Sequence, residues 1–169
     1  MRQLSTFMRY TLERDDHVTT SLEEELSMLK IYLDIERVRY GDRLSTEFKI
    51  EDVARSAIIP SMILQPLFEN TMKYVIAGTI DGGRIYLTAI VSEGQLRITI
   101  EDTGHPDQSN IDELLSTLKK GVGLQNTEDR LTMHYKEEGR MILNASEHGG
   151  VKIDLLMPFQ TFDKTEPVV

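Results

Sequence analysis

Gln65-Pro66-Leu67-Phe68-Glu69-Asn70-Thr71-Met72-Lys73-Tyr74 is the stretch whose reading decides the fold. From Pro60 to about Ile76 the chain is apolar and long enough for a helix. On a helix, Asn70, Lys73 and Tyr74 fall at i, i+3 and i+4 and share one face. An amide oxygen can ligate Mg²⁺ beside phosphate oxygens and waters, an ammonium can neutralise a phosphate, and a phenol can donate to one. A single face could therefore hold a metal–triphosphate. Taken alone, the same residues also describe a helix with a wetted polar edge.

Two further segments change the balance. Ile98-Thr99-Ile100-Glu101-Asp102-Thr103-Gly104 reads as a strand ending in an acid and a glycine. A carboxylate there can accept from an exocyclic amine such as adenine N6, and glycine lets backbone approach a flat base. An ordinary strand-to-turn junction uses the same residues. In Lys119-Lys120-Gly121-Val122-Gly123-Leu124-Gln125-Asn126, two glycines stand at the mouth of a helix carrying Arg130 and Leu131. Free N–H groups and the helix dipole at such a junction favour an anion, though a lone Gly-x-Gly is also a plain loop-to-helix turn. The order of the three carries more than any one of them.

Around these segments, Leu4, Phe7, Met8 and Leu12 recur at helical spacing over residues 1–14, as in the tail of a longer helix. Ser21 with Glu24 forms a capping-box pattern opening a second helix to about Tyr40, with Gly41 as its stop. Leu44 to Ile50 alternates like a strand. Arg84–Val91 and Gln95–Glu101 flank a hairpin turn at Ser92-Glu93-Gly94, Val122–Tyr135 returns to helical spacing, and Arg140–Ala145 pairs with Val151–Met157. The expected architecture is α+β, an antiparallel or mixed sheet with helices on one face. Residues 1–43 are read as a helical hairpin remnant, 44–160 as the main domain and 161–169 as a tail.

Composition removes several classes of function. The chain has no cysteine, which excludes a disulfide framework, a thiolate metal site and a cysteine nucleophile. Its net charge of −9 argues against nucleic-acid binding and obliges any phosphate site to depend on local donors. No run approaches the roughly 20 apolar residues of a spanning helix, so no direct membrane insertion is expected. The four histidines, His17, His105, His134 and His148, are scattered and read as exposed or structural.

The three segments resemble the nucleotide boxes of LytS-like (autolysin-regulator) sensor histidine kinases. Gln65 to Lys73 looks like the N box, Asp102-Thr103-Gly104 the G1 box, and Gly121 to Asn126 with Arg130-Leu131 the G2 box. Leu22-Glu23-Glu24-Glu25-Leu26 through Glu36 to Arg39-Tyr40-Gly41-Asp42-Arg43-Leu44 is similar to the segment joining the histidine-bearing helix to the catalytic domain. The resemblance implies the Bergerat ATP-binding fold, a two-layer α/β sandwich shared with gyrase, the ninety-kilodalton heat-shock chaperone and mismatch-repair ATPases.

By that resemblance Asn70 would coordinate Mg²⁺, Lys73 and Tyr74 would contact phosphate, and Asp102 would bind adenine N6. Gly104, Gly121, Gly123 and Leu124 would shape the pocket, and residues 105–120 would form its lid. The cofactors implied are ATP and Mg²⁺. The partners are a response-regulator receiver domain and a second copy of the chain, in the cytoplasmic part of a membrane-anchored bacterial sensor. Three departures from the pattern stand out. No histidine has the acceptor context of the family, so the chain by itself is not expected to autophosphorylate. His105-Pro106 follows G1 where a second glycine is usual, and Val151 stands where threonine is frequent. ATPases of the superfamily place a general-base glutamate four residues before the asparagine; Pro66 occupies that position and cannot activate water. The site thus favours transfer to a presented nucleophile. The alternatives are a degenerate nucleotide-binding or scaffolding module, and a serine-directed kinase or anti-sigma regulator of the same superfamily.

Overall fold

The computed structural model describes residues 18–76, 80–104, 115–116 and 121–162. The helix expected over 1–14, most of the lid at 105–120 with His105, Pro106, Lys119 and Lys120, His17, and the tail beyond 162 lie outside the described residues, as does the side chain of Tyr74.

The elements run β1 (Thr19–Ser21), α1 (Leu22–Tyr40), β2 (Leu44–Ile50), α2 (Asp52–Arg55), β3 (Ile58–Pro60), α3 (Gln65–Thr71), β4 (Gly83–Ser92), β5 (Gln95–Asp102), α4 (Val122–Tyr135), β6 (Arg140–Ala145) and β7 (Val151–Pro158). A five-stranded sheet has the order β2-β4-β5-β7-β6, with β1 and β3 forming a separate ribbon. β2 runs parallel to β4 and the other pairs are antiparallel, so the sheet is mixed. Glu93 and Gly94 turn the β4–β5 hairpin with φ of 52° and 76°, the two-residue geometry that suits right-twisted strands.

Period-two alternation decides which face the helices cover. Ile85, Leu87 and Ala89 of β4, Leu96, Ile98 and Ile100 of β5, and Ile153, Leu155 and Met157 of β7 are buried in one core with the helices. Phe68 of α3 meets Phe48 of β2 edge-on at 6.1 Å between ring centres. The opposite face is open; there Thr99 donates to the Asp154 carboxylate at 2.6 Å across β5 and β7.

α1 belongs to that core. Leu22, Leu26, Leu29 and Leu33 recur at helical spacing and are at most 2% exposed, each contributing roughly 1.5–3 kcal/mol by burial. Ser21 caps the helix by accepting from the Glu24 N–H at 3.2 Å. The Glu24 carboxylate in turn accepts from the Thr20 hydroxyl.

The helix expected from Pro60 is shorter than its apolar run suggested. Ile58–Pro60 pairs with Thr19–Ser21 as a strand, and α3 begins only at Gln65, with Pro66 in its first turn. Between them Met62 has φ 59°, a left-handed conformation that no helix continues through. Beyond Thr71 the coil widens into a π-helical turn over Met72–Ile76. Residues 161–162 are not simply a tail, since Thr161 bridges Ala57.

Candidate functional site

Asp102 closes the apolar row Leu96, Ile98, Ile100 of β5, and that alternation places its carboxylate on the helix side of the sheet, 4% exposed. Its Oδ1 accepts the Gly104 N–H at 2.9 Å and the Val151 N–H at 3.1 Å. Both bonds fall on one oxygen, which leaves Oδ2 able to accept from an amine. Burial drives the carboxyl pKa from 3.8 to about 6, with Glu101 adding to the rise and the two N–H bonds opposing it.

The β6–β7 turn is built around this acid. A Cβ on Gly150 would stand 1.8 Å from Asp102 Oδ1 and 2.4 Å from the Gly104 nitrogen, so only glycine fits. Gly150, in the turn Glu147-His148-Gly149-Gly150, was not among the residues expected to form the site. Gly149 already supplies the positive φ, at 100°, and the need for a second glycine is spatial. Val151, which stands where threonine is frequent, has no hydroxyl to offer; its backbone N–H reaches Asp102 whatever the side chain. Gly104 is buried in the left-handed region at φ 70°.

At the other end of the site, Asn70 lies half-buried on the last turn of α3. A Cβ on Gly123 would be 3.2 Å from Asn70 Nδ2 and 3.7 Å from Pro66, so the mouth of α4 lies directly against Asn70. Gly121 is the N-cap of α4 with φ −74°, an ordinary conformation, and its carbonyl accepts the Gln125 N–H. Leu124 is 1% exposed and packs into the core. Lys73 is exposed on the π-helical turn. The shared face argued from α-helical spacing therefore holds only as far as Thr71. Insertions of this kind recur at functional sites.

The two ends meet at Gly83, whose Cβ would touch Val75 at 2.6 Å and Ile76 and Thr103 each at 3.2 Å. Thr103 also bonds Arg84 in both directions, accepting its N–H at 3.0 Å and donating its own to the Arg84 carbonyl. The N-box element thus touches the mouth of α4 at Asn70 and, across Gly83, approaches Thr103 at the end of β5. Glu69 is exposed and accepts from Gln65 at 2.7 Å, one turn back on its own helix. His148 stacks on Tyr86 at 4.3 Å on the open face of the sheet, away from Asp102's side of β5. His134 is half-buried on α4, at 6.2 Å from the Tyr135 ring.

Among the described residues no three His, Cys, Asp or Glu side chains converge as an all-protein cation cage. The donor at the α3–α4 contact is a single neutral amide. That set fits Mg²⁺, which usually takes few protein ligands and keeps waters and phosphate oxygens. Among the described residues, also, no helix is long and apolar enough to cross a membrane.

A model of the histidine kinase family matches residues 1–44. The chain is 28% identical over 168 residues to the sensor protein LytS of Staphylococcus saprophyticus, covering 96% of this chain and 28% of LytS. It is 31% identical over 137 residues to the sensor histidine kinase YpdA of Escherichia coli, 79% of this chain and 24% of YpdA. The chain thus spans about a quarter of the length of these relatives. In fold it resembles the catalytic domain of the histidine kinase ThkA in a nucleotide-free form, at a TM-score of 0.61 and 16% identity over 85% of this chain and 97% of that domain. The mixed sheet under a helical layer is the fold of a histidine kinase catalytic domain, and the sequence similarity, which runs through the linker helix and the three boxes in order, is to LytS-like sensor histidine kinases.

Proposed function

We propose that the chain is the ATP-binding catalytic unit of a two-component sensor kinase, transferring the γ-phosphoryl of Mg·ATP to a histidine presented on a separate helix. The observation that carries this reading is the pairing of a buried, one-sided acceptor at Asp102 with an amide at Asn70 on the α3–α4 contact. Asp102 Oδ2 would accept from adenine N6. Gly104 and Gly150 would keep the backbone close to the base. Asn70 would hold Mg²⁺, with Lys73 and Tyr74 toward the phosphates and Gly121 and Gly123 shaping the rim. Bound Mg²⁺ supplies neutralisation of β- and γ-phosphate charge.

A neutral imidazole attacks the γ-phosphorus, a P–N bond forms, the bond to the β,γ-bridging oxygen breaks and ADP leaves. With an ordinary pKa near 6.5, such an imidazole is largely unprotonated at neutral pH, so the protein's task is positioning and charge neutralisation. Pro66, where a water-activating acid would stand, disfavours hydrolysis. The family further suggests passage of the phosphoryl group to an aspartate of a receiver domain, dimerisation through the helical hairpin of a longer protein, and attachment of that protein to a membrane. Residues 1–43 keep their role as linker in this reading, although 18–43 share the core.

The test is transfer in trans. The chain is incubated with Mg²⁺, γ-labelled ATP and a separately prepared acceptor-histidine helical hairpin from LytS. Acid-labile, base-stable label on the hairpin, absent with Asn70→Ala, is the expected result. Label that appears equally with Asn70→Ala, or none while nucleotide binds, would overturn the transfer assignment.

A further inference from the structure

α1 meets the element that carries Asn70 at two places. At the entry, Glu25, 3% exposed, accepts the Met62 N–H at 2.9 Å on Oε2 and the Leu64 N–H at 3.1 Å on Oε1. Leu64 is the N-cap residue of α3 and supplies no side-chain cap of its own. Met62, the other donor, is held at φ 59°, which costs free energy in a residue with a side chain. Midway, Tyr32 is buried beside Glu36 and Glu69; burial first and then these carboxylates push its phenol pKa up. In the turn that follows α1, the Arg43 carbonyl lies so close to Gly82, just before β4, that a Cβ there would approach to 2.1 Å. The corner that Glu25 holds is also held by α4, since Arg130 donates to the Ser61 carbonyl.

A buried carboxylate is a costly way to fasten a helix, because desolvation offsets much of what its hydrogen bonds return. What two directed acceptors do provide is fixed geometry at the point where α1, α3 and α4 meet. We propose that Glu25 is a positioning residue: it sets the placement of α3 relative to α4, hence of Asn70 against Gly123, and makes Mg·ATP affinity depend on the position of α1. The inference rests on the kinase reading above and assigns to the linker helix a direct hold on its metal–phosphate end. Asp102, on β5, is outside this hold, so the adenine end should not follow.

The experiment compares Glu25→Gln, whose amide replaces one acceptor with a donor, against Leu29→Ala, which cuts a buried α1 side chain that makes none of these bonds. Mg·ATP and adenosine are titrated separately, well below each melting temperature, and the Asn70 side-chain amide resonance is followed without ligand. Glu25→Gln should weaken Mg·ATP about tenfold, the loss of one charge-assisted hydrogen bond, leave adenosine unchanged and shift the Asn70 resonance. Leu29→Ala should lower the melting temperature and move neither. Unchanged Mg·ATP affinity in Glu25→Gln, or parallel loss of both ligands in both variants, would overturn the proposal. If Glu25→Gln does not fold, Glu25→Asp, which withdraws the carboxylate by one methylene, is read in the same way. If the parent chain binds neither ligand, the kinase reading fails, and the Asn70 resonance alone decides: shifted, the positioning role stands; unmoved, it falls.

Discussion

Asp102 is a buried acid kept at a cost to the folded state. Its folded pKa of about 6 lies above the ordinary 3.8, so between those values the native chain holds a proton the unfolded chain has lost. Stability from this group therefore falls as pH rises through the window, and the full cost, on the order of 2–3 kcal/mol, stands above it. Asp102→Asn can keep Oδ1 as acceptor for Gly104 and Val151 while removing the charge. Thermal melts should show that variant more stable than the parent at pH 7.5, with the gap closing toward pH 4. A gap that widens on acidification would contradict the sign. Nucleotide affinity of the parent should decline below about pH 6 as the carboxylate is protonated, whereas Asp102→Asn should bind weakly with little pH dependence over the same range. Asp102 was legible as an acid followed closely by a glycine at the end of a strand, in order between two other candidate segments. Gly150 was not, because its requirement comes from Asp102, 48 positions away in the chain, and only the folded sheet brings the two together. Gly150→Ala should abolish nucleotide binding at temperatures where circular dichroism still reports a folded sheet; retained affinity would remove that turn from the site.

Among the elements, α1 and the hairpin strands were readable from periodicity, and the caps at Ser21 and Gly41 marked the ends of α1 correctly. α3 was read too long because apolar run length does not separate a strand, an irregular corner and a helix when Pro60 and Pro66 punctuate it. The left-handed Met62 and the π-helical turn leave no mark in local propensity. Glu25 went unremarked because a charged residue within a leucine stripe is ordinarily counted to the solvated face. α1 is structural as well as connective: Leu26→Ala should cost about 2–5 kcal/mol by cavity formation, read as a lower urea midpoint with an unchanged denaturant slope. A chain beginning at Leu44 should show no cooperative calorimetric transition, since it would lose the α1 leucines and expose what they cover. A sharp transition from that fragment would mean that the sheet and the remaining helices suffice.

At the scale of the molecule, a net charge of −9 does nothing to draw in a polyanion. Any affinity for ATP must come from the short-range geometry at Asn70, Asp102 and their glycines. Three short boxes, each ambiguous in isolation, gained meaning from their order, and the fold converts that order into contact: Gly123 on Asn70, Gly83 on Val75 and Thr103, Gly150 on Asp102. The measurement that tests this most directly is titration of the chain with ATP, with and without Mg²⁺, for the parent, Asn70→Ala and Asp102→Ala. Saturable binding at or below about 1 mM is expected, strengthened by Mg²⁺ in the parent, insensitive to Mg²⁺ in Asn70→Ala and lost in Asp102→Ala. Absence of saturation at that concentration in the parent, or equal affinity in all three proteins, would contradict the account.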